Sequence, residues 1–166
     1  MRVNLINENF ENNYFSNLLK ARGITDIEGY VNPTEKYLQS PLDLKNIRTA
    51  AALYLRVVLN DKPPYSKVLI VVDSDNDGYT SAAIMYQYTK RLNSHCRVDY
   101  WLHEGKQHGL QDHIDRLMDK DESYDLIILP DSSSNDIAYH DMLDEIHTPC
   151  LILDHHLTDV KLSANA

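Results

Sequence analysis

The sequence has little of several features that would define other classes of protein. Its 166 residues include 5 glycines and 6 prolines, which excludes collagen-like and low-complexity chains. The 2 cysteines, Cys96 and Cys150, lack Cys-x-x-Cys spacing, so we expect buried, reduced thiols rather than a zinc site or a disulfide framework. The longest apolar run covers residues 50–55, far short of the roughly 20 residues of a membrane span, and no apolar secretory signal opens the chain. We therefore expect a folded, cytoplasmic protein without membrane contact.

Positive charge is also scarce. The chain has 16 Lys and Arg residues against 25 Asp and Glu residues, which gives a net charge of −9. This balance disfavours a broad phosphate-binding surface of the kind that binds duplexes nonspecifically. It leaves a nucleic-acid enzyme open, because carboxylates around divalent metal ions add negative charge that the ions cancel.

A charged Pro-Pro segment at residues 61–64 divides the chain into two parts of different pattern. The first part, residues 1–62, has apolar residues at helical spacing and is predicted to be a small helical annex. Its predicted helices cover residues 10–21, with Gly23 as a stop signal, residues 26–31 and residues 44–59. The second part, residues 63–166, has a different pattern and is predicted to be a second domain.

Short β-branched runs alternate with stretches of helix length in this second part. The runs predict strands at residues 68–72, 97–102, 126–129 and 150–153. The intervening stretches predict helices at residues 80–92, 110–118 and 135–146. Continuous apolar strands that alternate with helices are typical of a parallel sheet covered on both faces. The predicted fold class is therefore α/β, a mostly parallel sheet with helices on both faces, preceded by the helical annex.

Acidic and imidazole groups follow three of the predicted strands. Asp73, Asp75 and Asp77 come after the first strand, Asp131 comes after the third, and the run 154–156, Asp-His-His, comes after the fourth. The carboxyl ends of parallel strands meet at one edge of a sheet, so we expect these groups to lie close together. Carboxylates with one or two imidazoles suit Mn²⁺ or Mg²⁺, and a pair of such ions is the usual device for hydrolysing a phosphate ester.

Each of these segments also has a structural interpretation. An Asp-rich turn before a helix is often only an N-cap, and adjacent histidines on a loop are often surface residues. The Asp-x-Asp-x-Asp-Gly run is similar to the start of an EF-hand calcium loop, but Ile84 stands at the twelfth position, where that loop needs Glu. The joint placement of the segments at three strand ends favours a metal site.

The loop after the second strand opens at the same predicted edge. Lys106 and His108 lie in this loop, and Ser132 follows Asp131. We consider all three to be candidate substrate contacts, because a cation or a hydroxyl there could hold a phosphate. The alternative interpretation is a solvated, charged loop.

The ordered motifs resemble those of the DHH phosphoesterase superfamily, specifically its RecJ-like single-stranded-DNA exonuclease branch. The resemblance rests on residues 73–82 (DSDNDGYTSA), on Asp131 and on the Asp-His-His run, in that order. It extends to residues 18–24 and 37–41, which are similar to the helical preamble of RecJ-like proteins, and to residues 104–110, similar to their glycine-rich loop. The three serines 132–134 depart from the family pattern, which usually has Gly or Asn shortly after this Asp.

The resemblance implies a role for each motif residue. Asp75 and Asp77 would be metal ligands, one for each of two Mn²⁺ or Mg²⁺ ions, with Asp73 as a further ligand or an orienting group. Asp131 would bridge the ions. In the last motif, His155 would bind one ion, Asp154 would orient His155, and His156 would contact the scissile phosphate or protonate the leaving oxygen.

The resemblance implies that residues 63–166 are a DHH-type α/β catalytic domain, and that its activity is release of nucleotides from the 5′ end of single-stranded DNA. The chain ends ten residues after His156, so we expect the N-terminal portion of a larger nuclease, completed by a missing C-terminal domain or a partner chain. Two alternatives stay open. One is a phosphodiesterase for short oligonucleotides or cyclic dinucleotides, and the other is a noncatalytic interaction protein that keeps the fold.

Overall fold

The computed structural model describes residues 14–119 and 121–158. The chain divides into two compact units, Met1–Ile47 and Arg48–Ala166. This boundary lies upstream of the division at residue 62 that the sequence suggested. The reason is that Tyr54 and Val58, on the third helix, are buried in the same apolar cluster as residues of the sheet.

The first unit contains short helices, as expected. Helix α1 covers Tyr14–Ala21, helix α2 covers Ile27–Val31, and two 3-10 turns follow at Glu35–Tyr37 and Pro41–Asp43. The Gly23 N–H donates to the Lys20 carbonyl just after α1 ends, and the Asp26 carboxylate caps α2 by accepting from the Gly29 N–H at 3.0 Å. The beginning of the predicted helix at residues 10–21 lies outside the described residues.

Four parallel strands form the sheet of the second unit. They are β1 (Lys67–Val72), β2 (Arg97–Leu102), β3 (Leu126–Pro130) and β4 (Cys150–Leu153), in the order β2-β1-β3-β4. From β1 the chain passes first to β2 on one side and then back to β3 on the other. The order therefore reverses between β1 and β3, and a ligand site in an open α/β sheet is expected at the carboxyl ends of those strands.

Helices cover both faces of this sheet: α3 (Ile47–Val58), α4 (Asn76–Leu92), α5 (Ile114–Leu117) and α6 (Ile137–Glu145). Successive residues of β1 point to opposite faces. Val68, Ile70 and Val72 pack in one core cluster with residues of α3 and α4. Leu69 and Val71 pack in the other cluster with residues of α5 and α6. The predicted fold class is confirmed.

Two helices differ most from the sequence prediction, while α3 and α6 are up to three residues shorter at each end than the predicted ranges 44–59 and 135–146. Helix α4 begins at Asn76 rather than at residue 80, because the Asp75 carboxylate accepts the Gly78 N–H at 3.1 Å and caps the helix within the Asp-rich motif. Helix α5 has four residues rather than nine: residues 110–113 form turns, and the N–H of buried Leu110 donates to the Asp136 carboxylate. Both cysteines are buried and free, as predicted. Within the described residues, no helix combines the length and apolar character needed to cross a bilayer.

Candidate metal centre

The first acidic segment is held tightly against the end of β1. Asp73 follows Val72 directly and is 1% exposed. Gly78, in the first turn of α4, packs on Asp73 so closely that a Cβ at Gly78 would lie 2.5 Å from the Asp73 Cβ and 2.7 Å from its carbonyl oxygen. Only glycine fits this approach. The contact fixes the first turn of α4, and with it Asp75, beside Asp73.

Asp131 lies at the neighbouring strand end. Its N–H donates to the Leu153 carbonyl at 2.7 Å, which continues the pairing of β3 with β4 past the last strand residue. Its φ of 74° turns the chain out of the strand. The carboxylate is 7% exposed, with Oδ1 3.1 Å from His155 Nε2. The other oxygen, Oδ2, is buried without a hydrogen-bond partner among the described residues.

The Asp-His-His run after β4 is organised by Asp154. One carboxylate oxygen accepts the Ser134 N–H at 3.0 Å, and the other lies 2.7 Å from His156 Nδ1 and accepts the His156 N–H. Burial alone raises the pKa of Asp154, but the bonds from the His156 and Ser134 N–H groups outweigh burial and lower it to about 2. The resemblance suggested that Asp154 orients His155. In the structure it holds His156, because the turn brings the residue two positions on against its carboxylate.

The side chains at the three strand ends form two groups of possible metal ligands. One group is Asp73, Asp75 and Asp131, and the other is Asp131, His155 and His156; in each group the ligand atoms lie within 4.8 Å of one another. Asp131 belongs to both groups. Asp77, whose side chain is 67% exposed, lies outside both, with its Oδ2 3.9 Å from His155 Nε2.

The electrostatics of Asp131 fit a bound cation. Burial raises the pKa of this carboxyl, and the nearby carboxylates of Asp77 and Asp75 raise it further. An unpartnered, buried carboxylate oxygen among other carboxylates is destabilised unless a positive charge compensates it. Carboxylate oxygens with imidazole nitrogens are ligands that suit a divalent metal ion of the Mn²⁺ or Mg²⁺ type. The residues present therefore fit such an ion.

Two of the three candidate substrate contacts lie at this centre. His108 Nδ1 is 2.9 Å from both carboxylate oxygens of Asp73. Ser132 is buried, and its Oγ has no hydrogen-bond partner among the described residues. Both line a cleft of about 300 Å³ together with Asp154 and His156. Lys106 is exposed in the same loop as His108, outside the lining of this cleft.

Sequence reasoning missed Asp136, which anchors the loop that carries His108. Its Oδ2 accepts the Leu110 N–H and the Ser133 hydroxyl, each at 2.9 Å. Gly109 has a φ of 70°, and a Cβ there would lie 2.1 Å from the same oxygen. An Asp just before a helix ordinarily indicates an N-cap. Asp136 makes no capping bond to α6, so its carboxylate is available to the loop.

A family model describes most of the second unit. The N-terminal domain of the DHH family matches residues 67–166, a range that contains all of the candidate ligands. The chain belongs to the DHH family. The family membership predicted from the ordered motifs is thus confirmed.

Curated relatives of this DHH-family chain come from a bacterium and its phage. A prophage-derived protein of Bacillus subtilis (strain 168), which carries the name of a single-strand DNA-specific exonuclease, YorK, is 35% identical over 157 residues. The protein of the same name from Bacillus phage SPbeta is equally similar. The match covers 94% of this chain but 26% of each relative. The chain therefore spans about a quarter of the length of these proteins.

Solved structures of RecJ share the fold. A manganese-bound exonuclease RecJ superposes with a TM-score of 0.61 at 23% identity, over 75% of this chain and 31% of that one. RecJ from Thermus thermophilus, in complex with Mn²⁺, gives the same TM-score at 20% identity, over 89% of this chain and 19% of that one. These likenesses confirm a RecJ-like α/β fold.

Proposed function

We propose that this chain carries a two-metal centre for phosphodiester hydrolysis and that its substrate is single-stranded DNA, degraded from the 5′ end. The observation that carries the proposal is the buried Asp131, which is shared by two groups of three potential ligands. The names of the Bacillus relatives support the choice of substrate. The manganese bound in the RecJ structures supports Mn²⁺, with Mg²⁺ as the other candidate ion.

In this proposal each ligand group holds one ion. Asp73 and Asp75 would hold the first, His155 and His156 would hold the second, and Asp131 belongs to both groups. Asp77, exposed beside His155 and outside both groups, would be a further ligand. When bound, two such ions activate a water molecule and stabilise the negative charge that develops on the phosphate oxygens.

The remaining residues position ligands and substrate. Asp154 stays anionic because its pKa is about 2, and its bond to Nδ1 fixes the His156 ring and raises the pKa of His156. We assign His156 a ligand role, because one of its ring nitrogens lies within the Asp131 group. The unpartnered hydroxyl of Ser132, in the same cleft, is placed to donate to a phosphate oxygen. Exposed Lys106, in the same loop as His108, stays a candidate contact for a substrate phosphate.

The test is Mn²⁺-dependent release of nucleotides from a 5′-labelled single strand. We expect release by the wild-type chain and a loss of at least about 100-fold in Asp131→Asn, because Asp131 belongs to both ligand groups. Asp141→Asn is the matched control, since Asp141 is an exposed aspartate on α6. A folded wild-type chain that releases nothing would contradict the proposal and favour a noncatalytic role. Faster hydrolysis of dinucleotides than of long strands would instead favour the short-oligonucleotide alternative.

A further inference from the structure

An apolar cleft lined by tyrosines lies on the α4 face of the sheet. Its volume is about 320 Å³, at the lower end of the range of small-ligand pockets. The lining includes Val72, Tyr79, Tyr86, Tyr100 and Leu102. Three of these side chains are substantially open to solvent, with Tyr79 49%, Tyr100 59% and Leu102 48% exposed. The cleft therefore presents aromatic and aliphatic surface that the described residues leave accessible.

The cleft exists because β2 is an edge strand. The parallel register pairs Ile70 with Tyr100 and Val72 with Leu102, so these β2 side chains lie on the same face as the core residues of β1. Helix α4 packs over β1, and β2 extends beyond it at the edge of the sheet. The rings of Tyr86 on α4 and Tyr100 on β2 meet edge to face, with their centroids 6.2 Å apart. Their side chains thus form adjoining walls of one cleft.

The chemistry of the lining selects a neutral, planar ligand. None of the described residues that line the cleft carries a charge. Apart from the tyrosine hydroxyls, the polar side chain in the lining is the amide of Gln87. A phosphate would find no cation here, whereas an aromatic ring can stack on tyrosine and its polar edge can hydrogen-bond to an amide.

The cleft and the metal centre share a short segment of the chain. Val72 is the residue before Asp73, and Tyr79 follows Gly78 in the first turn of α4, which carries Asp75 and Asp77. The same short segment, residues 72–79, therefore contributes to both sites. The two sites are therefore adjacent along the chain at the end of β1 and the start of α4.

We propose that the cleft binds nucleobases of the strand whose backbone lies at the metal centre, by stacking on Tyr79, Tyr86 and Tyr100. The inference rests on the proposed function, since it takes the ligand to be single-stranded nucleic acid. Every base has a π face, so the cleft favours single strands of any sequence over duplexes, whose bases are stacked on each other.

The first test separates base binding from phosphate binding. Tyr100→Leu and Tyr86→Leu keep an apolar side chain but remove a stacking ring. We expect either to raise KM for an ordinary single strand at least about fivefold, with kcat unchanged. KM should not change for a strand with abasic residues near its 5′ end. Tyr88→Leu, on the same helix and 51% exposed but outside the lining, is the matched control. An unchanged KM for the ordinary strand in both cleft variants would overturn the inference.

The second test does not depend on hydrolysis. A single strand containing 5-iododeoxyuridine is irradiated with the wild-type chain in Ca²⁺, and cross-linked residues are identified by mass spectrometry. We expect cross-links to the three cleft tyrosines; cross-links elsewhere, or none, would overturn the inference. If the wild-type chain hydrolyses no strand, the proposed function fails, while cross-links to these tyrosines would still support base binding. Hydrolysis without such cross-links would leave the proposed function intact and remove the cleft from it.

Discussion

Replacing Gly78 by alanine is expected to disturb the geometry of the metal centre while leaving all of its candidate ligands in the chain. Gly78 provides no ligand and lies in the first turn of α4, packed on Asp73. An added Cβ would lie 2.5 Å from the Asp73 Cβ and 2.8 Å from its carbonyl carbon, which is backbone and has no rotamer to change. The turn that carries Asp75 must therefore move away from the end of β1.

The size of this movement follows from the contact distance. Carbon atoms pack at about 3.5 to 4.0 Å, so relief of the contact requires a shift of about 1 Å. Overpacking of this kind costs about 1 to 3 kcal/mol, and the higher helix propensity of alanine offsets about 1 kcal/mol of that. A shift of about 1 Å at a catalytic group lowers the rate about 100-fold. We therefore expect a small loss of stability and a large loss of activity.

The assay is Mn²⁺-dependent hydrolysis of single-stranded DNA, together with urea unfolding of the same preparations. Gly23→Ala is the control, because Gly23 has a φ of 80° and a Cβ added there would meet no atom within 4 Å. It should lose about 1 to 2 kcal/mol of stability and keep its activity. A Gly78→Ala chain with activity within about threefold of wild type would refute the reasoning, since about 100-fold is expected.

Three further predictions concern Asp136 and Asp154, which support the centre, and His113, a half-buried histidine whose ring lies beside those of Trp101 and His103. Asp136→Ala leaves the N–H of buried Leu110 without an acceptor; we expect urea unfolding to show a loss of about 1 to 3 kcal/mol, and an unchanged midpoint would contradict this. Asp154→Asn should lower the steady-state rate about 10- to 100-fold in a chain with unchanged circular dichroism, whereas full activity would exclude its positioning role. Burial and the neighbouring His103 lower the pKa of His113, so the unfolded chain binds the proton more readily. Stability should fall as the pH drops below about 6.5, by at most about 1.4 kcal/mol per pH unit, and His113→Gln should flatten this dependence in urea titrations.

Much of the fold could be predicted because β1, β3 and β4 contain short, continuous apolar runs. The strands at Arg97–Leu102 and Cys150–Leu153 have the predicted bounds. The start of α4 could not be predicted as well, because Asp75 both caps the helix and belongs to the acidic motif. Helix α5 follows turns in which the Leu110 N–H donates to a carboxylate 26 positions later in the chain, a contact that local periodicity does not predict.

The candidate site, like the fold, could be predicted only in part. The meeting of Asp73, Asp131 and His155 could be predicted, because parallel strands deliver their carboxyl ends to one edge. The partner of each side chain could not be predicted. The pairing of Asp154 with His156 depends on one turn, and the contact of His108 with Asp73 depends on how the loop after β2 folds back.

The most direct test of the central claim is a count of bound Mn²⁺ ions by calorimetric titration of the wild-type chain and of Asp131→Asn. The account predicts two ions for the wild-type chain, because Asp131 joins two ligand groups. It predicts that both ions bind much more weakly in Asp131→Asn, since each group loses the same carboxylate. An Asp131→Asn chain that binds Mn²⁺ with the wild-type number and affinity would contradict the account.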